Sequence, residues 1–322
     1  MRGLFIVASL FFSSLTFANP LGMIFSRQDA RGRIEINYQA DTNQLDDKKK
    51  SRENRLVNYD GNLNINFYKG EKTIWFFSAK GDHLDTGLEN LIIGPDSTQV
   101  DGRLKNESFG LGFRQYYSDE STLVTSIDYG SASDKPFGEP RNSTVSANVA
   151  YAFSPGSESQ WILFINYSNN RPFLNNIPIP AFAYVYRPSK SFSVTLGIPF
   201  VFMSYADPPK TMFRLFLSPS SAGYDYGIGI KGPLQIFNNF TYQVRSYMHE
   251  NRINDDDRLI FEEKTVSLGI RSPVARGLSL SFSGGLAFDR FYYEGEGMFE
   301  ESGVQQRLKN DIFIKGKMTY QF

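Results

Sequence analysis

The stretch DIFIKGKMTYQF, residues 311–322, sets Ile312, Ile314, Met318, Tyr320 and Phe322 against Asp311, Lys315, Lys317 and Thr319. Apolar and polar side chains alternate with a period of two, the mark of an extended strand with one greasy and one wet face. The same rhythm runs back through the chain. Ile34, Ile36 and Tyr38 alternate with Glu35, Asn37 and Gln39, and Leu63, Ile65 and Phe67 with Asn62, Asn64 and Asn66. Phe109, Leu111 and Phe113 follow it, as do Trp161, Leu163, Ile165 and Tyr167, then Leu278, Leu280 and Phe282. With 29 Phe and 18 Tyr among 322 residues, the composition also suits strands.

A soluble sandwich would alternate too, so two further patterns decide. The apolar face carries no charge, whereas the other face carries Glu35, Asp60, Arg114, Asp128, Arg245, Arg271, Asp289, Asp311, Lys315 and Lys317. An Arg or Lys facing lipid at mid-bilayer costs about 2–4 kcal/mol, a penalty that water does not impose. Those ten residues are therefore the candidate lining of a lumen. The connections also alternate in length. Short ones fall at 68–72, 118–121, 154–159, 188–190, 231–235 and 272–277, and longer polar ones at 41–55, 83–103, 131–141, 168–176, 251–257 and 293–307. Short periplasmic turns and long extracellular loops are how outer-membrane barrels are built. The expected fold is all-β: a transmembrane antiparallel up-and-down β-barrel over residues 31–322.

The final strand resembles the C-terminal strand of Gram-negative outer-membrane proteins. That resemblance implies that Ile312, Ile314, Met318, Tyr320 and Phe322 form the signal read by the barrel-assembly machinery. At the other end, Arg2 precedes the apolar run LFIVASLFFSSL (4–15), and Thr16-Phe17-Ala18 follows. This reads as a signal peptide, residues 1–18, cleaved after Ala18 by the secretion machinery. The run is shorter than the roughly 20 residues of a spanning helix. Residues 19–30 would be a periplasmic segment. The expected location is the outer membrane of a Gram-negative bacterium, among its lipids and lipopolysaccharide. A soluble periplasmic β-protein is the alternative. Zero net charge argues against nucleic acid as a partner. The lack of Cys removes thiolate sites and thiol nucleophiles, and no cofactor is expected.

A single-chain bacterial barrel has an even number of strands. Counting connections from both ends leaves room for one descending strand between 192–202, read as ascending, and 230. Residues 212–217 and 224–230 would then be one strand, its phase switched from odd (Phe213, Leu215, Leu217) to even (Tyr224, Tyr226, Ile228) by a β-bulge around 218–223. Fourteen strands result, or twelve if the first strand or 178–187 is not one. Pro199 sits poorly inside a strand. The stretches 177–180 and 196–200 look like an outer-membrane barrel family with no assigned activity. The resemblance covers the C-terminal half and carries no catalytic motif.

The chain has two histidines on which an enzymatic barrel could be built, His83 and His249. The barrel phospholipases and lipid-A deacylases resemble one another in pairing a His with a nearby Ser, and neither His here has Ser two residues on. Barrel proteases resemble a plan of Asp pairs and an Asp–His couple at the extracellular rim. Asp82, His83 and Asp85 invite that comparison, as do His249 and Glu250. Asp255, Asp256, Asp257, Glu262 and Glu263 are hard oxygen ligands for a divalent cation, but lack the spacing and Gly of a calcium loop. Lys48, Lys49, Lys50 and Arg52 could meet lipopolysaccharide phosphates or keep a loop soluble. The candidate lumen mixes both signs, which fits a weakly selective passive channel or a barrel closed by ion pairs. Sequence therefore favours a channel or structural barrel of unknown substrate, with a rim hydrolase as the alternative.

Overall fold

The computed structural model describes residues 32–42, 56–94, 96–117, 121–207, 210–231 and 233–322. The signal peptide with Ala18, the 19–30 segment and the Lys48–Arg52 cluster lie outside the described residues. The strands are β1 (Gly32–Asp41), β2 (Val57–Lys69), β3 (Thr73–Ile93), β4 (Thr98–Tyr116), β5 (Thr122–Ser133) and β6 (Ser143–Gly156). Next come β7 (Ser159–Ser168), β8 (Ile179–Tyr186), β9 (Phe192–Ile198), β10 (Val201–Asp207), β11 (Thr211–Ser218) and β12 (Ser221–Lys231). The last are β13 (Leu234–Tyr247), β14 (Arg258–Ala275), β15 (Leu278–Gly297), β16 (Glu300–Leu308) and β17 (Asp311–Gln321). Each pairs antiparallel with its sequence neighbours, except that β16 and β17 both pair with β15, and β17 pairs with β1 to close the sheet. β16 and β17 are the upper and lower parts of one descending strand, so the closed barrel has sixteen wall positions.

The fourteen-strand expectation and its twelve-strand variant are thus corrected. β1 and β8 are both present, and two stretches read as single strands are hairpins. At 192–202 the chain reverses at Pro199, where Gly197 N donates to Phe200 O at 2.9 Å. Pro has no N–H for a central ladder and here takes the turn instead. At 218–221, Ser218 Oγ accepts from Ser221 N and donates to Ser221 O, closing a two-residue turn where a bulge was expected. The phase switch has a simple cause. A hairpin that pairs 218 with 221 sets outward Leu215 beside outward Tyr224, so odd gives way to even.

The outer face is what water would reject. Leu268 is 62% and Phe282 61% exposed, with Ile127, Leu163, Ile270, Ile312 and Ile314 similarly bare. Leaving such side chains in water forfeits about 1.5–3 kcal/mol each; hydrocarbon removes that cost. A closed sheet also leaves no unpaired backbone edge, the condition for crossing a bilayer with strands.

Wall height is uneven. β3 and β15 are 21 and 20 residues long, β9 and β10 only 7 each. The polar stretches 83–103 and 293–307, expected as loops, are largely strand: β3–β4 and β15–β16 continue as tall hairpins. Above the bilayer the outward face is charged, with Asp101, Arg103 and Lys105, while Leu84, Leu91, Val100 and Leu104 remain buried inside.

Candidate functional site

The lumen is built from the inward positions of every strand. Near β1 and β17, Lys317 Nζ donates to Glu35 at 2.7 Å, and Arg33 holds the same carboxylate. Asn37 Nδ2 donates to Asp60 at 2.7 Å and to Glu35 at 3.3 Å. Asp128 accepts from Ser78 Oγ at 3.1 Å, and Arg114 donates to the Tyr116 hydroxyl at 3.1 Å. Arg271 pairs with Asp225 at 2.7 Å, bonds Gln235 at 2.9 Å and lies over the Phe237 ring. Lys315 faces the same interior from β17, and Asp311 is buried with its Oδ1 accepting from Ile312 N at 2.7 Å. Arg245 is buried and lies 6.0 Å from the centre of the inward Phe261 ring, so nine of the ten candidate lumen residues are directed inward. Glu35, Asp60 and Lys317 share one network through Asn37.

Asp289 is the exception. It lies in the bulge opposite Glu263, between the Glu262–Phe291 and Lys264–Phe288 pairs, has φ of 51°, and pairs with Lys264 on the outer face. The bulge puts Arg290 inside in its place. Arg290 then binds Asp41 and Glu263, a cluster missing from the sequence-derived lining. Asp41 and Glu263 lie in the inward phase of their strands, so periodicity did contain them. Only the bulge hid Arg290.

Above this layer the lumen closes. Leu56, Leu84, Leu91, Ile93, Val100 and Leu104 from one wall meet Tyr247, Leu259, Phe261 and Tyr292 from the other in one buried apolar cluster, with Ala132 beside it. Two segments cross the mouth over it. Residues 248–252 run from β13 to β5, where Met248 N donates to Ala132 O at 2.7 Å and Glu250 N to Asp134 at 3.2 Å. Arg252, nearly buried, donates to Asn142 Oδ1 at 2.6 Å. Residues 169–177 run from β7 to β13–β15, with Asn170 Nδ2 on Ser246 O at 3.1 Å and Met298 N on Pro172 O at 2.7 Å. β5 and β13, like β7 and β15, are eight positions apart in a ring of sixteen, so both segments span the full width. Arg171 pins the second to its own base, donating to Asn166 Oδ1 at 3.0 Å and Ile177 O at 2.7 Å. Burial pushes its guanidinium down to about 10. Burial, with Glu294 close by, also raises the Asp257 carboxyl above its ordinary range.

Below the closure, inward polar groups remain within reach of solvent. Asn62, Asn66, Lys80, Asn239 and Gln243 are half-buried, and Asn64 is exposed. These water-accessible polar side chains make a wet vestibule along β2, β3 and β13, while Ile162, Ala183, Val185 and Phe200 fill the opposite side as a second buried cluster.

The rim residues Asp82, His83 and Asp85 do not converge on one face of β3. Asp82 points into the barrel and is buried, while His83 and Asp85 point out. His83 bonds the Tyr59 hydroxyl at 2.7 Å and Glu107 at 2.9 Å, and Asp85 caps Gly87 N at 2.9 Å. His249 is fully buried under the mouth, 3.0 Å from Glu294. Among the described residues no group of three His, Asp or Glu side chains could hold a metal, and Glu262 and Glu263 face opposite sides of β14.

A closed antiparallel sheet with a lipid-ready exterior, a polar interior and short turns at one end defines the class: this chain is an outer-membrane β-barrel. No family model matches it, and no curated protein does. Solved structures of similar fold include the CymD monoaromatic hydrocarbon channel (9% identical, covering 95% of this chain and 91% of that one, TM-score 0.43). The Pseudomonas putida toluene transporter TodX is 9% identical, with 94% and 92% covered and a TM-score of 0.38. LpxR from Salmonella typhimurium is 10% identical, with 90% and 100% covered and a TM-score of 0.33. Likeness at this level says nothing about substrate or activity.

Proposed function

We propose that the protein is a passive channel for small polar solutes, held shut at its extracellular mouth in this conformation. One observation carries the reading: water reaches polar side chains on the β2, β3 and β13 part of the lumen wall, and non-covalent contacts of two crossing segments and of buried apolar clusters close the interior elsewhere. Sixteen wall positions leave an aqueous bore when the walls stand apart. Paired charges of both signs suit weak ion selectivity. A purely structural barrel is the second reading, favoured by the apolar cluster itself, which fills the space a pore needs.

Planar-bilayer recording separates them. The native chain should conduct rarely, in brief steps. A variant with 170–176 replaced by a short Gly-Ser linker should open often, with a cation-to-anion ratio within about threefold of unity. Silence from both proteins would discard the channel and leave the structural barrel.

A further inference from the structure

Three rows of outward residues cross β1–β4 in register. The lower row is Ile34, Leu63, Ala79 and Phe109; the middle row is Ile36, Gly61, Gly81 and Glu107; the upper row is Tyr38, Tyr59, His83 and Lys105. Gly61 and Gly81 face one another across the β2–β3 ladder, and the exposed backbone between them floors a groove of about 530 Å³. That is within the roughly 300–1,000 Å³ of small-ligand sites. Ile36 walls one side. Phe109 and Phe137 wall the other, joined through Tyr129, whose ring stands 5.7 Å from the first and 6.2 Å from the second. The Tyr59–His83 ring pair, 4.7 Å between centroids, stands in the next row above the groove.

These glycines are not explained by the backbone. Neither has positive φ. A Cβ on Gly81 would meet nothing within 4 Å, and one on Gly61 only Glu35 O at 3.8 Å. Glycine within a strand forfeits about 0.5–1 kcal/mol relative to Ala, so two facing glycines without steric need are a loss to the fold that leaves a trough as its product.

The surroundings say what fills the trough. Its floor and walls lie in the lipid-facing belt, where the neighbouring medium is acyl chain. Its upper end falls where the outward face turns from Leu111 and Phe109 to Glu107 and Lys105, the level of the extracellular interface. Glu107 is hydrogen-bonded to His83 Nε2 at 2.9 Å and Arg103 is held by Asp101 at 2.8 Å, while Lys105 makes no ion pair among the described residues. We propose that this groove binds one acyl chain of an outer-leaflet lipopolysaccharide, with Lys105 meeting the phosphate of its headgroup and Tyr59, His83 and Glu107 its hydroxyls. The proposal does not depend on whether the lumen conducts.

Native mass spectrometry of the full chain in mild detergent tests it, with purified lipopolysaccharide and, separately, phosphatidylethanolamine as probes. The native chain should retain one lipopolysaccharide. Gly81→Leu, whose Cβ meets nothing within 4 Å, should fill the trough and lower retention by at least about tenfold, or about 1.4 kcal/mol. Lys105→Gln should lower it by a smaller factor. Gly284→Leu, at another outward glycine with an open Cβ direction (3.7 Å from Phe313 O), should bind as the native chain does. Heat-modifiable migration confirms that each variant is folded; should Gly81→Leu fail there, Gly61→Leu and Lys105→Gln carry the test. Equal retention by native and filled variants overturns the proposal. So does preference for phosphatidylethanolamine, or a native dimer that Gly81→Leu makes monomeric, which would assign the groove to a second copy of the chain.

Discussion

Arg290 forks onto both oxygens of Asp41, at 2.7 and 2.8 Å, and its Nε reaches Glu263 at 2.9 Å. All three side chains are buried. The contact ties β15 to β1 beside residues 309–310, where β16 ends before β17 begins, so the fork bridges a gap in the wall beside the ring closure. Breaking a buried pair by removing one partner strands the others without compensation and costs about 3–5 kcal/mol. Arg290→Leu should lower stability to urea in detergent by that amount. Arg290→Lys should recover only part, because an ammonium lacks the planar fork that meets both Asp41 oxygens and the further Nε–H that reaches Glu263. A Leu variant within about 0.5 kcal/mol of the native chain would show that the fork is not what holds this seam.

The strand count can be checked from outside the cell. The chain has no cysteine, so one introduced at Lys210 gives a single label site. In the sixteen-position barrel, Lys210 sits in the turn between descending β10 and ascending β11, on the periplasmic side. With fourteen strands the same residue would be extracellular. A membrane-impermeant maleimide should therefore label Lys210→Cys only after the outer membrane is permeabilised. Labelling of intact cells would restore the lower count.

That turn also shows what the sequence could and could not reveal. Period-two alternation located the strands and their two faces, because each side chain is sorted by medium alone. It found the inward phase of Glu35, Asp60, Arg114 and Lys317 for the same reason. It missed the hairpins at Pro199 and at 218–221, because a two-residue turn flips parity as a bulge does, and only the partner strand tells them apart. It misplaced Asp289 for the converse reason, since that bulge has no signature in hydropathy. The closure was illegible throughout: Leu104 and Leu259 each look like ordinary strand residues until opposite walls meet.

Leu104 and Leu259 are fully buried in the cluster that seals the mouth. Truncation there removes contacts and leaves a cavity, typically about 2–5 kcal/mol. Local loss at the seal favours the separated walls, so Leu104→Ala should both lower thermal stability and raise the frequency of conductance steps. Loss of stability with unchanged silence would mean that the cluster supports the fold without gating it.

The two faces of the wall make opposite demands on the same substitution. Leu268 points to hydrocarbon and is 62% exposed, whereas Asn64 points into the vestibule and is also exposed. An Arg at mid-bilayer on the lipid side costs about 2–4 kcal/mol, while one in water costs little. Leu268→Arg should depress stability by that amount and slow assembly, read as loss of the heat-modifiable form. Asn64→Arg should leave stability nearly unchanged and shift any conductance toward anions, because it adds a cation beside Arg33 in the solvent-reached part of the lumen. If Asn64→Arg proves as damaging as Leu268→Arg, the interior is not wet, and the vestibule on which the channel reading rests does not exist.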